Sequence, residues 1–255
     1  MSATLRYVLI TAIRDRFVAA IAVALAAAVG AAALLGASAV AEGQALALAY
    51  AGEMIRLVLV LGLITFISFH VRRMHETREI EAILARPISR ATFVLAYYTA
   101  YSTIALGLSL LASPLLMLVL GAGGAGLAEW QASLMLECLV VVGLALFAAM
   151  SLESATAAVL AALGFYVLGR SAAVLRAIAE AGTAIFGQDA LNLAARWVSD
   201  VIALLMPRLD LFGQSRWLVY GPGGGWGLSE LLLQTLIYAP LLLAATIRDL
   251  DARRF

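Results

Sequence analysis

The feature that most constrains this chain is a series of long apolar runs that contain no charged residue. The first, from Phe17 to Val40, holds 24 consecutive residues without a single Asp, Glu, Lys or Arg. A helix needs about 20 apolar residues to cross the hydrocarbon core of a bilayer. Over the whole chain 64% of the residues are apolar and 13% are charged, whereas soluble domains are about 45–50% apolar and about 25% charged. We therefore predict an all-α integral membrane protein.

Windowed hydropathy predicts six transmembrane helices within one domain that covers residues 1–255. Their approximate bounds are 17–40, 55–71, 92–120, 131–150, 155–174 and 229–247. Pro114 is expected to bend the long third span, because proline removes one backbone hydrogen bond from a helix. The outer segment 175–228 is predicted to be re-entrant or interfacial, with an amphipathic helix near Trp197–Leu205 that lies at the outer membrane surface.

The placement of arginine orients these spans. The chain contains no lysine, so all 17 of its basic residues are arginine. If the N-terminus is cytoplasmic, 11 of the 17 fall on the cytoplasmic side, which is the orientation that the positive-inside rule favours. An even number of spans then brings the C-terminus back to the cytoplasm.

Several kinds of chemistry are excluded by residue types that are absent or rare. A Walker A loop needs a lysine to hold nucleotide phosphates, so any ATP chemistry has to come from another polypeptide. The two histidines, His70 and His75, cannot build a metal site alone, and the single cysteine, Cys138, cannot form a disulfide within the chain. The sequence contains neither H-E-x-x-H nor G-x-S-x-G. We therefore assign no catalytic, cofactor-binding or metal-binding residue.

The most charged stretch of the chain lies between the second and third predicted spans. Within it, Ile80, Ile83 and Leu84 fall at i, i+3 and i+4 and form one apolar stripe, with polar residues around it. Pro87 then ends the helix. The segment 75–86 is therefore predicted to be an amphipathic helix on the cytoplasmic face. Such a helix either lies at the lipid interface or docks into a partner protein.

Polar residues within the predicted spans are further candidates, because ionisable groups are costly inside a membrane. Glu137 lies about two turns into the fourth span, where it is either part of a membrane-embedded polar path or a hydrogen-bonded contact between helices. Glu53 and Arg56 are three residues apart and are expected to pair with each other near the outer interface. Ser89 or Thr92 is expected to cap the helix of the third span.

One run resembles the signature of type-2 ABC exporter permeases: Arg78 to Tyr98, which reads R-E-I-E-A-I-L-A-R-P-I-S-R-A-T-F-V-L-A-Y-Y. In that family an acidic helix and a leucine-rich stretch precede Pro, a hydrophobic residue, Ser, Arg and the next span. The outer run Leu205–Phe212 is similar to the family's Leu-Pro-x-hydrophobic-Asp-x-Phe run, and the six-span layout matches as well. The family commonly has Gly-Lys where this chain has Ala96 and Tyr97, a departure that leaves the subfamily open.

The resemblance implies a permease subunit of an ATP-driven exporter in a bacterial inner membrane. The segment 75–86 would be the coupling helix that docks into a cytosolic ABC ATPase, and that ATPase would carry ATP and magnesium. A second permease chain, identical or different, would complete the substrate path within the lipid bilayer, and no nucleic acid would take part. The residues implied in docking are Glu76, Arg78, Glu79, Ile80, Ile83, Leu84 and Arg86.

Two other functions fit the same sequence. The first is a membrane scaffold that recruits a soluble partner without transporting anything. The second is an ion-coupled secondary transporter that uses Glu137 and works without an ATPase. Co-purification with an ATPase, and substrate movement that depends on ATP, would separate a permease from both.

Overall fold

The computed structural model describes residues 16–77, 89–171, 174, 177, 207–221 and 227–252. Every regular element in these ranges is helical. In chain order the elements are α1 (Arg16–Ser38), α2 (Gly43–Glu76), α3 (Arg90–Leu110), α4 (Ala112–Leu120), α5 (Gly124–Ser151), α6 (Ala155–Arg170), a 3-10 turn (Leu209–Leu211), α7 (Arg216–Tyr220) and α8 (Leu228–Ala252).

Five apolar helices in the described ranges are long enough to cross a membrane: α1, α2, α3 together with α4, α5 and α8. The protein is therefore an all-α, multi-pass membrane protein. Helix α6 is apolar but has only 16 residues. Helix α6 covers only part of the predicted fifth span, 155–174. The total of six spans therefore stays a prediction.

Helix α1 packs along α2 in the opposite direction. At one end of this pair Phe17 stacks on Phe66, with 6.1 Å between the ring centroids. At the other end Gly36 and Gly43 allow the backbones to touch, since a Cβ atom on Gly43 would lie 2.3 Å from the Gly36 carbonyl oxygen. The 34 residues of α2 correspond to a length of about 50 Å. The helix therefore tilts or extends beyond the hydrocarbon core, which is about 30 Å thick.

The predicted third span consists of two helices, because the helix is interrupted at Leu111, one turn before Pro114. Proline has no N–H to donate to the carbonyl four residues earlier, and its ring collides with that carbonyl, here that of Leu110. At the interruption the Leu111 amide donates to the carbonyl three residues earlier, that of Leu108, over 3.2 Å. In a regular α-helix it would donate to the carbonyl four residues earlier. At the other end of α3, Ser89 is the N-cap, and its hydroxyl accepts a hydrogen bond from the Thr92 amide at 3.1 Å.

Helix α5 lies at the centre of the bundle, where it contacts α2, α3, α6, α7 and α8. Within its most apolar window 78% of the residues are buried, against 22% for α1. Because neighbouring helices surround α5, it is apolar on nearly all sides. A charged residue in the middle of this helix therefore has to be satisfied by groups of the protein itself.

Two contacts bring several helix ends to one side of the bundle. Arg72, near the end of α2, donates to the Glu153 carbonyl in the α5–α6 turn at 2.5 Å. Arg90, at the start of α3, donates to the Leu250 carbonyl near the end of α8. We call this the arginine-rich side, since the described helix ends there carry Arg72, Arg73, Arg90 and Arg248.

The opposite side of the bundle holds the start of α2, the end of α4 and the end of α6. There the Gln44 side-chain amide donates to the Leu120 carbonyl at 3.2 Å. The described part of the predicted outer segment, residues 207–221, packs on this side, because α7 contacts the first turns of α2 and α5. The predicted amphipathic helix near Trp197–Leu205 lies outside the described residues.

Candidate functional site

Four charged side chains from three helices come together, two of them buried and two partly exposed: Arg56 on α2 and Glu137 on α5 are buried, and Glu53 on α2 and Arg170 at the end of α6 are partly exposed. We call these four residues the charge network. Arg56 and Glu137 each expose only 1% of their surface, and Arg56 Nη1 donates to Glu137 Oε2. Arg170 Nη2 donates to Glu53 Oε2 at 2.5 Å, and its Nη1 lies 3.5 Å from Glu137 Oε1. The two positive and two negative charges sum to zero.

The buried guanidinium of Arg56 has two further contacts on α5. Its Nη2 donates to the Ser133 hydroxyl at 2.7 Å. Its central carbon lies 5.3 Å from the centre of the Trp130 ring, close enough for a cation–π attraction. Serine at 133 and glutamate at 137 are one helical turn apart and share a face, so α5 presents a hydroxyl and a carboxylate to the same guanidinium.

Two hydroxyl groups hold the carboxylates of the charge network. The Tyr166 hydroxyl donates to Glu137 Oε1 at 2.8 Å, and the Ser215 hydroxyl donates to Glu53 Oε1 at 2.6 Å. Tyr166 precedes Arg170 by one turn of α6, so both side chains leave the helix on the face that meets α2 and α5. Ser215 belongs to the segment just before α7. The charge network thus joins three helices and the outer segment.

The prediction that Glu53 and Arg56 pair with each other is wrong. Each residue takes its partner from another helix, Arg170 for the glutamate and Glu137 for the arginine. An intrahelical pair would have left Glu137 charged and uncompensated in the interior, which costs far more than a contact on one helix face returns. Helical spacing predicted the shared face of the two residues correctly, but not the partners across that face.

The polar path that the sequence suggested for Glu137 stays a prediction. Both carboxylate oxygens of Glu137 accept hydrogen bonds, one from Arg56 and one from Tyr166. Its position in the middle of an apolar helix was visible in the sequence, whereas its partners were not. The available signal was a tyrosine and an arginine one turn apart in another apolar run, Tyr166 and Arg170.

An open cleft of about 230 Å³ lies next to the charge network, between α2 and α6. We call it the α2–α6 cleft. Its walls are Glu53, Arg56, Leu57, Tyr166, Val167, Arg170 and Ser171. It therefore combines charged groups in its depth with aliphatic side chains that are exposed to the surroundings of the bundle.

The predicted docking segment begins on the arginine-rich side. Glu76 is the last residue of α2 and accepts a hydrogen bond from Arg72 Nε at 2.9 Å, one turn earlier. Thr77 then caps the helix through its amide, which donates to the Arg73 carbonyl at 2.9 Å. The other predicted docking residues lie outside the described residues, and they are Arg78, Glu79, Ile80, Ile83, Leu84 and Arg86.

In the described ranges no three histidine, cysteine, aspartate or glutamate side chains come together in a way that could hold a metal ion. Cys138 is a free thiol, buried in α5 beside the charge network. Comparison with known proteins gives the chain no family: no protein-family model matches it, and no curated protein matches it either.

Proposed function

We propose that this protein is a permease subunit of an ATP-driven exporter in a bacterial inner membrane, with both termini in the cytoplasm. The observation that supports the proposal is where the described helices on either side of the charged segment 78–88 end and begin. Helix α2 ends at Glu76 and α3 begins at Arg90, both on the arginine-rich side. The segment between them resembles the coupling region of type-2 ABC exporter permeases.

Contacts within the bundle could transmit a movement of that segment to the membrane-spanning helices. Arg72 links the end of α2 to the α5–α6 turn through the Glu153 carbonyl, so two parts of the bundle would move with the segment. From Arg72 to Arg56 the helix runs for sixteen residues, or about 24 Å. A shift of α2 would thus reach the charge network, and through it α5, α6 and the outer segment.

The remaining features of the proposal concern partners. ATP and magnesium would bind to a separate ABC ATPase. A second permease chain would complete the substrate path. Helix α6 with the residues that follow it would form the predicted fifth span, 155–174, which brings the number of spans to six. Large apolar side chains are exposed along α8: Leu232, Leu233, Leu236, Ile237 and Leu241. They would face lipid or the second chain.

The scaffold function is the main alternative. A scaffold would use the same docking surface, but its soluble partner would not be an ATPase and nothing would be transported. The secondary transporter gains no support from the charge network, because a carboxylate that binds and releases an ion has to be free to change partners, and Glu137 is held by two hydrogen bonds.

The test is to purify the tagged full chain from its native membranes and identify what it captures. We expect an ABC ATPase without membrane spans. The variants Ile83→Asp and Glu79→Arg should reduce its capture by about tenfold, because each places an unfavourable charge on the docking surface. Arg248→Ser is the matched control, since Arg248 is exposed on the arginine-rich side but lies outside the docking segment.

Two results would contradict the proposal. One is a wild-type chain that captures no ATPase at all. The other is equal capture by Ile83→Asp and by wild type when both are present in the membrane at the same level.

A further inference from the structure

Helix α4 is joined to its neighbours in the chain at two points where the backbone can turn. At its start, the helix is interrupted at Leu111, and Pro114 lacks the N–H that would stiffen the joint with α3. At its end, Gly121 and Gly124 have positive φ angles of 65° and 76°. A Cβ atom on Gly124 would meet nothing within 4 Å, so this glycine serves the backbone conformation and not close packing. Hinges consist of such residues at the ends of helices.

Apolar packing attaches α4 to the bundle only weakly. Two of its nine residues are buried, Ala112 and Leu116, and the large side chains of Met117, Leu118 and Val119 are exposed. In a bilayer, an apolar side chain that leaves a protein contact meets lipid tails that are as apolar as leucine, so no hydrophobic force drives it back. Polar contacts therefore carry more of the attachment than they would in a soluble bundle.

Gln131 on α5 holds the joint between α3 and α4 from both sides. Its side-chain amide donates to the Ser109 carbonyl on α3 at 3.2 Å. Its side-chain oxygen accepts a hydrogen bond from the Ser113 hydroxyl on α4 at 2.6 Å. Backbone groups near a proline in a membrane helix need partners from neighbouring side chains, because lipid offers none. One glutamine thus fixes the angle at which α4 leaves α3.

A second glutamine holds the other end of α4. Gln44, in the first turn of α2, donates through its side-chain amide to the carbonyl of Leu120, the last residue of α4, at 3.2 Å. The last carbonyls of a helix have no partner within the helix, so this bond satisfies one of them. Helix α4 is therefore held by α5 at its start and by α2 at its end, each time by a neutral amide side chain.

We propose that α4 is a hinged flap, which pivots on the Leu111 joint and the 121–124 turn, and which Gln131 and Gln44 hold closed in this structure. Opening breaks three side-chain hydrogen bonds and leaves α3 and α5 in place. It uncovers the parts of α1 and α2 that α4 contacts, on the side opposite to the arginine-rich side. This inference is independent of the proposed function, since a transporter and a scaffold could each contain such a flap.

The experiment measures distances between pairs of spin labels by pulsed electron paramagnetic resonance, on the purified full chain in lipid nanodiscs. Leu118→Cys with Leu57→Cys reports on α4 relative to α2. Leu95→Cys with Leu57→Cys reports on α3 relative to α2. All three side chains are exposed, whereas Cys138 is 1% exposed and stays unlabelled.

With no other change, each pair should give one main distance. Gln131→Leu combined with Gln44→Leu removes all three hydrogen bonds of the closed flap. It should add a second distance between Leu118 and Leu57, with a share about tenfold or more above that of the unaltered flap. The distance between Leu95 and Leu57 should not change, because α3 does not move.

Two further variants test the cause of this movement. Pro114→Ala restores the N–H at the joint, so adding it to the two glutamine variants should suppress the second distance. Gln234→Leu is the matched control, because Gln234 lies on α8 and accepts a hydrogen bond from the Arg208 amide, away from α4. It should leave the distance between the labels on α4 and α2 unchanged.

Three results would overturn the inference. A single, unchanged distance in the variant that lacks both glutamines would show that they do not hold a flap closed. A second distance that persists with Pro114→Ala would show that α4 does not pivot at this joint. An equal change in the distance between α3 and α2 would show that the whole bundle loosens.

Discussion

At the scale of single residues, the most demanding feature of this molecule is the enclosure of Arg56 and Glu137. Each loses the hydration of a full charge, and their attraction offsets this loss only when further hydrogen bonds satisfy the remaining donors and acceptors. Ser133 and Tyr166 supply two such bonds, whereas Arg56 Nε has no hydrogen-bond partner within the described residues. We therefore expect the pair to specify how α2, α5 and α6 fit together more than it stabilises the bundle.

Glu137→Gln should destabilise the protein by about 3–5 kcal/mol, because it leaves Arg56 charged in the interior with a weaker partner. The loss can be measured as a lower temperature at which buried Cys138 reacts with a thiol-specific dye. Glu129→Gln, on the same helix but outside the charge network, is the control and should change this temperature little.

The double variant Arg56→Met with Glu137→Leu separates a pair from two independent residues. Because it removes both charges and fills their space with apolar atoms, it should recover most of the stability lost in Glu137→Gln. Losses that simply add up would show that the two side chains do not compensate each other.

How far residue-scale features follow from the sequence depends on the range of the interaction. The Ser89 cap could be predicted, because a cap depends on residues three positions apart in the chain. The partner of Glu53 is Arg170, 117 positions away, and no spacing rule reaches that far. Local spacing favoured Arg56 instead, and the fold overrode it, since Glu137 needed the same guanidinium.

At the scale of elements, hydropathy predicts where apolar helices lie but not how closely they approach. The bounds of α5 and α8 enclose the predicted spans 131–150 and 229–247. The contact between α5 and α7 had no such signal, because it depends on one glycine against one carbonyl. A Cβ atom on Gly126 would lie 2.1 Å from the Trp217 carbonyl oxygen, so the two helices can meet only where that side chain is missing.

Gly126→Ala should therefore push α7 away from α5 and destabilise the protein by about 1–3 kcal/mol, the usual cost of overpacking. Gly164→Ala is the matched control on α6, where a Cβ atom meets nothing within 4 Å. Alanine favours the helix by up to about 1 kcal/mol there, so this variant should unfold at the same temperature as wild type or slightly higher. Equal thermal stability of the two variants, followed through Cys138 dye reactivity, would argue against the close contact.

At the scale of the whole molecule, the two sides of the bundle are held together by different contacts, and both carry arginines, with Arg170, Arg208 and Arg216 on the side of the outer segment. The described helix ends on the arginine-rich side carry Arg72, Arg73, Arg90 and Arg248, and the α5–α6 turn is bonded to them. Arginine counts predict that this is the cytoplasmic side, and that orientation stays a prediction, because it is defined only relative to a membrane. The sequence could not predict that the opposite side is closed by the outer segment through Ser215 and Glu53, since that contact spans 162 positions.

The proposal that the charged segment between α2 and α3 faces a cytosolic ATPase is tested most directly by thiol labelling in intact cells. Cys138 is 1% exposed, so the wild-type chain serves as the unlabelled background. Tyr220→Cys reports on the outer segment, where Tyr220 is 83% exposed, and Glu153→Cys reports on the exposed α5–α6 turn beside Arg72. A membrane-impermeant maleimide should label Tyr220→Cys in intact cells and Glu153→Cys only after the cells are opened. Labelling of Glu153→Cys in intact cells would put the docking segment outside, where no ATPase could reach it.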